Sequence, residues 1–425
     1  MERIDAPPMV QKSKDNAERQ VIVIAGQSGR QRRGALQEFL LRVRIAGGRL
    51  GGEGIIVMGL DRWGFGVFYS VGDIGYLSFG APTRKFPRAA STAHVMKFFA
   101  ALVLLFNATF AAGADVQPPL LLRVVTFNGG WDLPIWAAQR QGLFEANGVT
   151  VQLSYTPSSE VLVTGLFDGR FDIALATIDN FIAYQEGQGE ARLSADPDLF
   201  SFIGGDGGFL SIVASPGVKS FADLKGKTLS VDAMTNGLAF VLRELLARNG
   251  LAESDVKFVR AGGTPNRYRD LIAGKHDATL LRTPFELLAK NRGFNQLATA
   301  ESLGAYEGTV GAARRSWAAD HQAALIGFMR GYRAGVDWVY DRANRDVAEA
   351  LLVANVRDMA PALAKQSYEL LLADKGGLAR DAALDIEGIR TVLSLRSKFG
   401  TPQRELGGPE KYIDLGYYEK AFGKR

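Results

Sequence analysis

Five short polar turns carry the residues of this chain best suited to holding a small molecule. They are Asn128-Gly129-Gly130-Trp131-Asp132, Thr177-Ile178-Asp179-Asn180, Asp232-Ala233-Met234-Thr235-Asn236-Gly237, Gly262-Gly263-Thr264 and Arg282-Thr283. Each follows a run of strand length and leads into a helical pattern. Small residues let a guest reach backbone N–H groups. A helix that begins there aims unpaired N–H donors and a partial positive charge at it. An anionic or strongly polar head group is the natural guest. The expected contacts are Asn128, Trp131, Thr177, Asp179, Asn180, Asp232, Thr235, Asn236, Thr264 and Arg282. Thr235, Asn236 and Thr264 supply side-chain donors, Arg282 a fixed charge, and Trp131 a flat apolar face. Plainer roles compete. Ser, Thr and Asn at helix starts are ordinary caps. Arg282 can pair with a carboxylate, Trp136 reads as core, and Glu286 reads as the capping partner of Thr283.

Other chemistry is poorly provided for. The chain has no cysteine and only three histidines, His94, His276 and His321. That excludes disulfides, thiolate zinc sites, iron–sulfur ligation and a cysteine nucleophile. Neither a Gly-x-Ser-x-Gly elbow nor a His-Glu-x-x-His pair occurs. No catalytic residue, metal site or cofactor is expected.

The elements around the turns alternate between strand and helix. Leu121 to Phe127 is an apolar run of strand length, and the following helix has Pro134 in its first turn. Val149, Val151, Leu153 and Tyr155 alternate with polar residues as in a half-buried strand. Leu238, Val241, Leu242, Leu245 and Leu246 mark one face of a helix that stops at Gly250. Thr283-Pro284-Phe285-Glu286 reads as a capping box with proline at its first helical position. A long amphipathic helix is expected over Trp317 to Tyr340, opening a helical C-terminal region. Strands alternating with helices imply an α/β fold with parallel sheets. The blocks 120–205 and 215–300 read as two lobes. The glycine-rich stretches Phe202 to Leu210 and Ser302 to Gly311 link them as a paired hinge. The expected division is lobe 1 over 115–208, completed by 306–425, and lobe 2 over 209–305.

The first 95 residues read differently. They carry 14 Lys/Arg against 8 Asp/Glu, while the rest of the chain carries 36 against 37. The formal charge of +5 therefore lies in the head, and the near-neutral body argues against a nucleic-acid partner. Gly26-Gln27-Ser28-Gly29-Arg30 lacks the Gly-Lys-Ser/Thr ending of a phosphate loop. No strand or helix period is sustained. Met96-Lys97, the apolar run Phe98 to Phe106 and Ala112-Gly113-Ala114 follow in the order of a signal peptide. Residues 1–95 are thus expected to be a non-native or disordered leader, 96–114 a signal peptide, and Asp115 the first residue of a periplasmic protein.

Several spaced motifs resemble one family. Trp131-Asp132-Leu133-Pro134-Ile135-Trp136-Ala137-Ala138-Gln139 runs on through Gly142-Leu143-Phe144-Glu145-Ala146-Asn147-Gly148-Val149. Asp168-Gly169-Arg170-Phe171-Asp172-Ile173-Ala174 and Ser220-Phe221-Ala222-Asp223-Leu224-Lys225-Gly226-Lys227-Thr228 follow. This pattern is similar to that of solute-binding proteins of ABC importers, in the branch serving nitrate, sulfonates, taurine and thiamine pyrimidine precursors. The resemblance implies a two-lobed, periplasmic-binding-protein-like fold of type II. It also implies a small-molecule ligand between the lobes and an importer permease in the inner membrane as partner, with the protein acting as a monomer. Two alternatives stay open, a thiamine pyrimidine precursor synthase-like enzyme and a periplasmic sensory module.

Overall fold

The computed structural model describes residues 119–424 and, before them, the backbone of strands between residues 37 and 78. The chain divides into two units, Met1–Asp115 and Val116–Arg425. In the first unit, β1 (Gln37–Ile45), β2 (Gly52–Asp61), β3 (Gly64–Val71) and β4 (Leu77–Ser78) form an antiparallel sheet in that order. The sequence reading found no sustained period here. Glycines at 54, 59 and 66 interrupt the alternation, while Ile55-Ile56-Val57 and Val67-Phe68-Tyr69 keep the β-branched and aromatic content that favours strands. The expected signal peptide lies outside the described residues, as does most of the expected leader.

The second unit holds two five-stranded sheets. The first has the order β6-β5-β7-β14-β8, built from β5 (Leu120–Thr126), β6 (Val149–Tyr155), β7 (Ile173–Thr177), β8 (Leu199–Gly204) and β14 (Thr309–Arg314). The second has the order β11-β10-β12-β9-β13, built from β9 (Leu210–Ala214), β10 (Thr228–Val231), β11 (Lys257–Arg260), β12 (Ala278–Arg282) and β13 (Asn295–Thr299). Both sheets are mixed, which corrects the expectation of parallel ones. β5 is parallel to β6 and β7, and β10 to β11 and β12. β14 and β9 are antiparallel to both of their neighbours. The reason lies in the hinge. β9 and β14 are the first strands the chain enters after crossing from the other sheet, so they start at the cleft. The strands feeding helices end there.

β8 was missed in the sequence because all six of its residues are buried, so it shows no alternation. The long helix expected over Trp317 to Tyr340 is two helices, Arg315–Asp320 and Gln322–Tyr340, broken at His321.

The C-terminal helices do not complete one lobe alone. Helix Ile386–Phe399 packs on Ile178–Gln185 from the first lobe and on Gly237–Arg248 from the second. One buried cluster joins Trp131 and Trp136 to Leu281, Phe285 and Leu288, with Leu351 and Leu371 of the C-terminal helices filling the space between. Apolar burial of this kind favours the arrangement in which the lobes touch.

Candidate functional site

The two lobes meet where the strands of both sheets end. The cleft holds a narrow cavity of about 20 Å³, lined by Phe127, Trp131, Thr177 and Asn180 from the first lobe and by Asp232, Asn236, Leu238, Gly263, Thr264, Arg267 and Arg282 from the second. Seven of the ten residues expected from the sequence line it.

Asp232 follows β10 directly. Its Oδ2 accepts from Asn236 Nδ2 at 3.0 Å and from the backbone N–H of Ser159, across the cleft, at 3.3 Å. Its Oδ1 is shut off from solvent and has no hydrogen-bond partner among the described residues. Asn236 caps helix Gly237–Arg248, its Oδ1 accepting from Ala239 N–H at 3.1 Å. Asn180 Nδ2 donates to Thr177 Oγ1 at 3.0 Å.

Arg282, at the end of β12, is a junction rather than a free charge. Its Nη2 donates to both oxygens of Asp206, at 2.7 and 2.8 Å, and to Thr309 Oγ1 at 3.0 Å. Its Nε donates to the Gly208 carbonyl at 2.8 Å. Asp206 and Gly208 belong to one hinge link, and Thr309 ends the other. The guanidinium also lies 4.2 Å from the ring centroid of Trp131, a cation–π contact that crosses the cleft. Trp131 is itself 3% exposed and donates from Nε1 to the Phe127 carbonyl.

Arg267 was not singled out in the sequence, and it is the most unusual group in the cleft. It is 1% exposed. Its donors go to the carbonyls of Gly262 and Leu280 and to Thr264 Oγ1. No carboxylate pairs with it among the described residues. Burial pushes its pKa down to about 10, with Asp232 opposing and Arg282 reinforcing that shift. It therefore remains a cation at neutral pH, in the first turn of helix Thr264–Ile272, where the helix dipole disfavours one. The spacing held a signal for it. Thr264, Arg267, Tyr268 and Leu271 are the buried positions of that helix, the i, i+3, i+4, i+7 stripe on which an arginine is out of place.

Three expected contacts lie elsewhere. Asn128 is half-buried, and its amide donates to the Asn355 carbonyl at 3.1 Å. The backbone N–H and Oγ1 of Thr235 both donate to Glu190 Oε1, at 3.0 and 2.9 Å. Asp179 is fully buried and bound by Arg396. Asp179 and Thr235 hold the lobes together instead of facing the cavity. The capping box expected at Thr283 differs as well. Helix Phe285–Lys290 starts after Pro284, and Thr283 Oγ1 donates to the Glu286 side chain at 2.7 Å, while the Thr283 carbonyl accepts from Gly130 of the other lobe.

Glycines allow this closeness. A Cβ at Gly237 would stand 2.6 Å from Asp179 Cβ, and one at Gly263 would stand 2.5 Å from the Phe127 ring. Gly263 N–H also donates to the Pro157 carbonyl of the first lobe at 2.9 Å. Of the two histidines among the described residues, His276 is buried against Ser230 Oγ, and His321 stacks on Trp317 at the surface. Among the described residues no group of three or more His, Asp or Glu could hold a metal ion, and no helix is long and apolar enough to cross a membrane.

No curated protein matches the chain in sequence. Solved structures do match its fold. The alkanesulfonate-binding protein SsuA from Xanthomonas axonopodis pv. citri, bound to MOPS, is 19% identical with a TM-score of 0.55, over 69% of this chain and 96% of that one. The periplasmic nitrate-binding protein NrtA from Synechocystis PCC 6803 is 12% identical with a TM-score of 0.59, over 72% and 89%. The ligand-binding component of an ABC-type import system from Staphylococcus aureus, solved with zinc bound, is 12% identical with a TM-score of 0.58, over 72% and 100%. The fold is therefore that of the periplasmic binding proteins. A family model described as NMT1/THI5 like matches residues 132–345, just over half of the chain and most of both lobes, and the chain belongs to that family.

Proposed function

We propose that this protein is the solute-binding component of an ABC-type importer. It captures a small organic or oxyanionic nutrient between its lobes and delivers it to a membrane permease, acting in the periplasm. The observation that carries this reading is Arg267. A guanidinium buried in the cleft without a carboxylate partner is costly to maintain, and an anion bound beside it offsets that cost. Thr264 and the start of its helix add donors on the same side. A solute that binds only the closed form shifts the lobes by its preference for that form.

The test is thermal unfolding of the full chain in the presence of nitrate, sulfonates, aromatic acids and pyrimidines. A solute present at a hundred times its Kd stabilises the native state by about 2.7 kcal/mol. At least one anion of the panel is expected to raise the melting temperature, and Arg267→Gln is expected to abolish that rise. A panel without effect, or an undiminished rise in Arg267→Gln, would count against the reading.

A further inference from the structure

The hinge buries more carboxyl groups than cations. Glu307, in the second link, is 2% exposed, and its Oε2 accepts from the backbone N–H of Asp385 at 2.6 Å. Asp206, in the first link, is buried against Arg282, which takes its charge. Asp132, just before helix Leu133–Arg140, is buried and accepts from Thr126 Oγ1 and from Gly129 N–H. Asp385 faces Glu307 from the start of helix Ile386–Phe399. The buried phenols of Tyr306 and Tyr332 complete the surroundings, and beyond Tyr306 stand Asp179 and Arg396, already paired with each other. Arg282 is held by Asp206, so no cation pairs with Glu307 among the described residues.

Burial holds the Glu307 carboxyl well above the usual carboxylate range, Asp206 and Asp385 add repulsion, and the Asp385 N–H opposes them without prevailing. Glu307 is therefore a neutral, protonated acid in this arrangement. Three segments pressed together keep it dry. A side chain added at Gly308 would overlap Asp206 of the other link, and one at Gly388 would overlap the backbone of Tyr306 and Glu307. A hinge turns by changing the geometry of its links, so parting the lobes loosens this packing and admits water to the carboxyl. We propose that Glu307 makes the hinge sensitive to pH: the closed arrangement keeps a proton on this residue, and the open one lets it go. The sign follows from linkage. The advantage of closure is full below the ordinary carboxylate pKa and is lost as pH rises through the raised one. A solute in the cleft is then held most firmly in acid surroundings. The inference rests on the two-lobed fold and on no particular solute.

The chain has no cysteine, so spin labels can be placed through Ala146→Cys in the first lobe and Ala252→Cys in the second, both at exposed positions. Pulsed electron resonance on the full chain, with no solute added, would read the distance between them from about pH 5 to about pH 9. The distance is expected to lengthen as pH rises, the closed-to-open ratio falling by up to about tenfold per pH unit. In Glu307→Gln, which stays neutral, the shift is expected to vanish, while Glu286→Gln, at another buried carboxyl, keeps it. A distance independent of pH, a shift that survives Glu307→Gln, or one that vanishes in Glu286→Gln instead would overturn the inference. Should Glu307→Gln not fold, Asp385→Asn at an exposed position removes one of the two like charges and is expected to shrink the shift. A shift of wild-type size in that variant would equally overturn it. Because no solute is added, failure here leaves the solute-binding reading standing, and failure of that reading leaves this one standing.

Discussion

Arg396 grips Asp179 with two hydrogen bonds, Nε to Oδ1 at 2.6 Å and Nη2 to Oδ2 at 2.5 Å, and neither side chain is exposed. The same Nη2 donates to the Thr235 carbonyl of the second lobe at 2.7 Å, and Nη1 to Gln188 Oε1 of the first at 2.9 Å. One arginine on a C-terminal helix thus ties both lobes. Removing one partner of a buried pair leaves the other charge uncompensated. Arg396→Met is therefore expected to lower the stability of the second unit by about 3–5 kcal/mol. Urea denaturation checks this, and a loss under about 1 kcal/mol would show that the pair is not essential.

Gly237→Val addresses closure itself. The new Cβ would run into Asp179 and hold the lobes apart. The expected result is a larger radius of gyration by small-angle X-ray scattering and weaker solute binding. An unchanged scattering profile would mean that Asp179 moves aside instead.

Glu286 links stability to pH. Burial, opposed by the hydroxyl of Thr283, pushes its pKa from 4.5 up to about 7. The folded protein then holds a proton that the unfolded chain releases above about pH 4.5. Its contribution is full below that pH and is lost as pH rises through about 7. Glu286→Gln, which stays neutral, is expected to flatten this loss and to be more stable than wild type at pH 8, by roughly 2–3 kcal/mol. Denaturation curves at pH 5, 6, 7 and 8 would reveal it. Parallel curves for the two proteins would rule it out.

Trp131 has two roles that substitutions can separate. It is buried among Leu133, Phe285 and Leu371, so Trp131→Ala costs about 3–5 kcal/mol of stability through the cavity it leaves. Trp131→Phe keeps an aromatic ring but loses the Nε1 bond to Phe127 and the larger face over Arg282. A fall of about 1 kcal/mol in stability is expected. Thermal unfolding of both variants gives the comparison, and equal losses would argue against it.

Local features were legible in the sequence and distant pairings were not. The strand-end turns around Trp131, Thr177, Asn236 and Thr264 declared themselves through glycines and caps, whose physics involves neighbouring residues only. Those turns lead to the cavity. Asp179 and Thr235 sit in those same turns and Arg282 lines the cavity, but Arg396, Glu190 and Asp206 decide what their polar groups bind. Asp179 and Arg396 are 217 positions apart, and no period or motif joins them. β8 and Arg267 failed for opposite reasons. The strand is so completely buried that alternation vanishes, whereas the arginine stands in a visible stripe of buried positions, where its charge is the one feature out of pattern.

The bridge from helix Ile386–Phe399 to both lobes also dictates an order of events. Each sheet has its strands long before residue 396 is made, so the halves can take shape as the chain lengthens. The tie that Arg396 makes to both of them cannot form until nearly the whole polypeptide is present, because that residue arrives close to the end. Contacts between residues so far apart in the chain are slow to find one another. A nascent molecule of this protein therefore lacks the Arg396 tie until its synthesis is nearly complete.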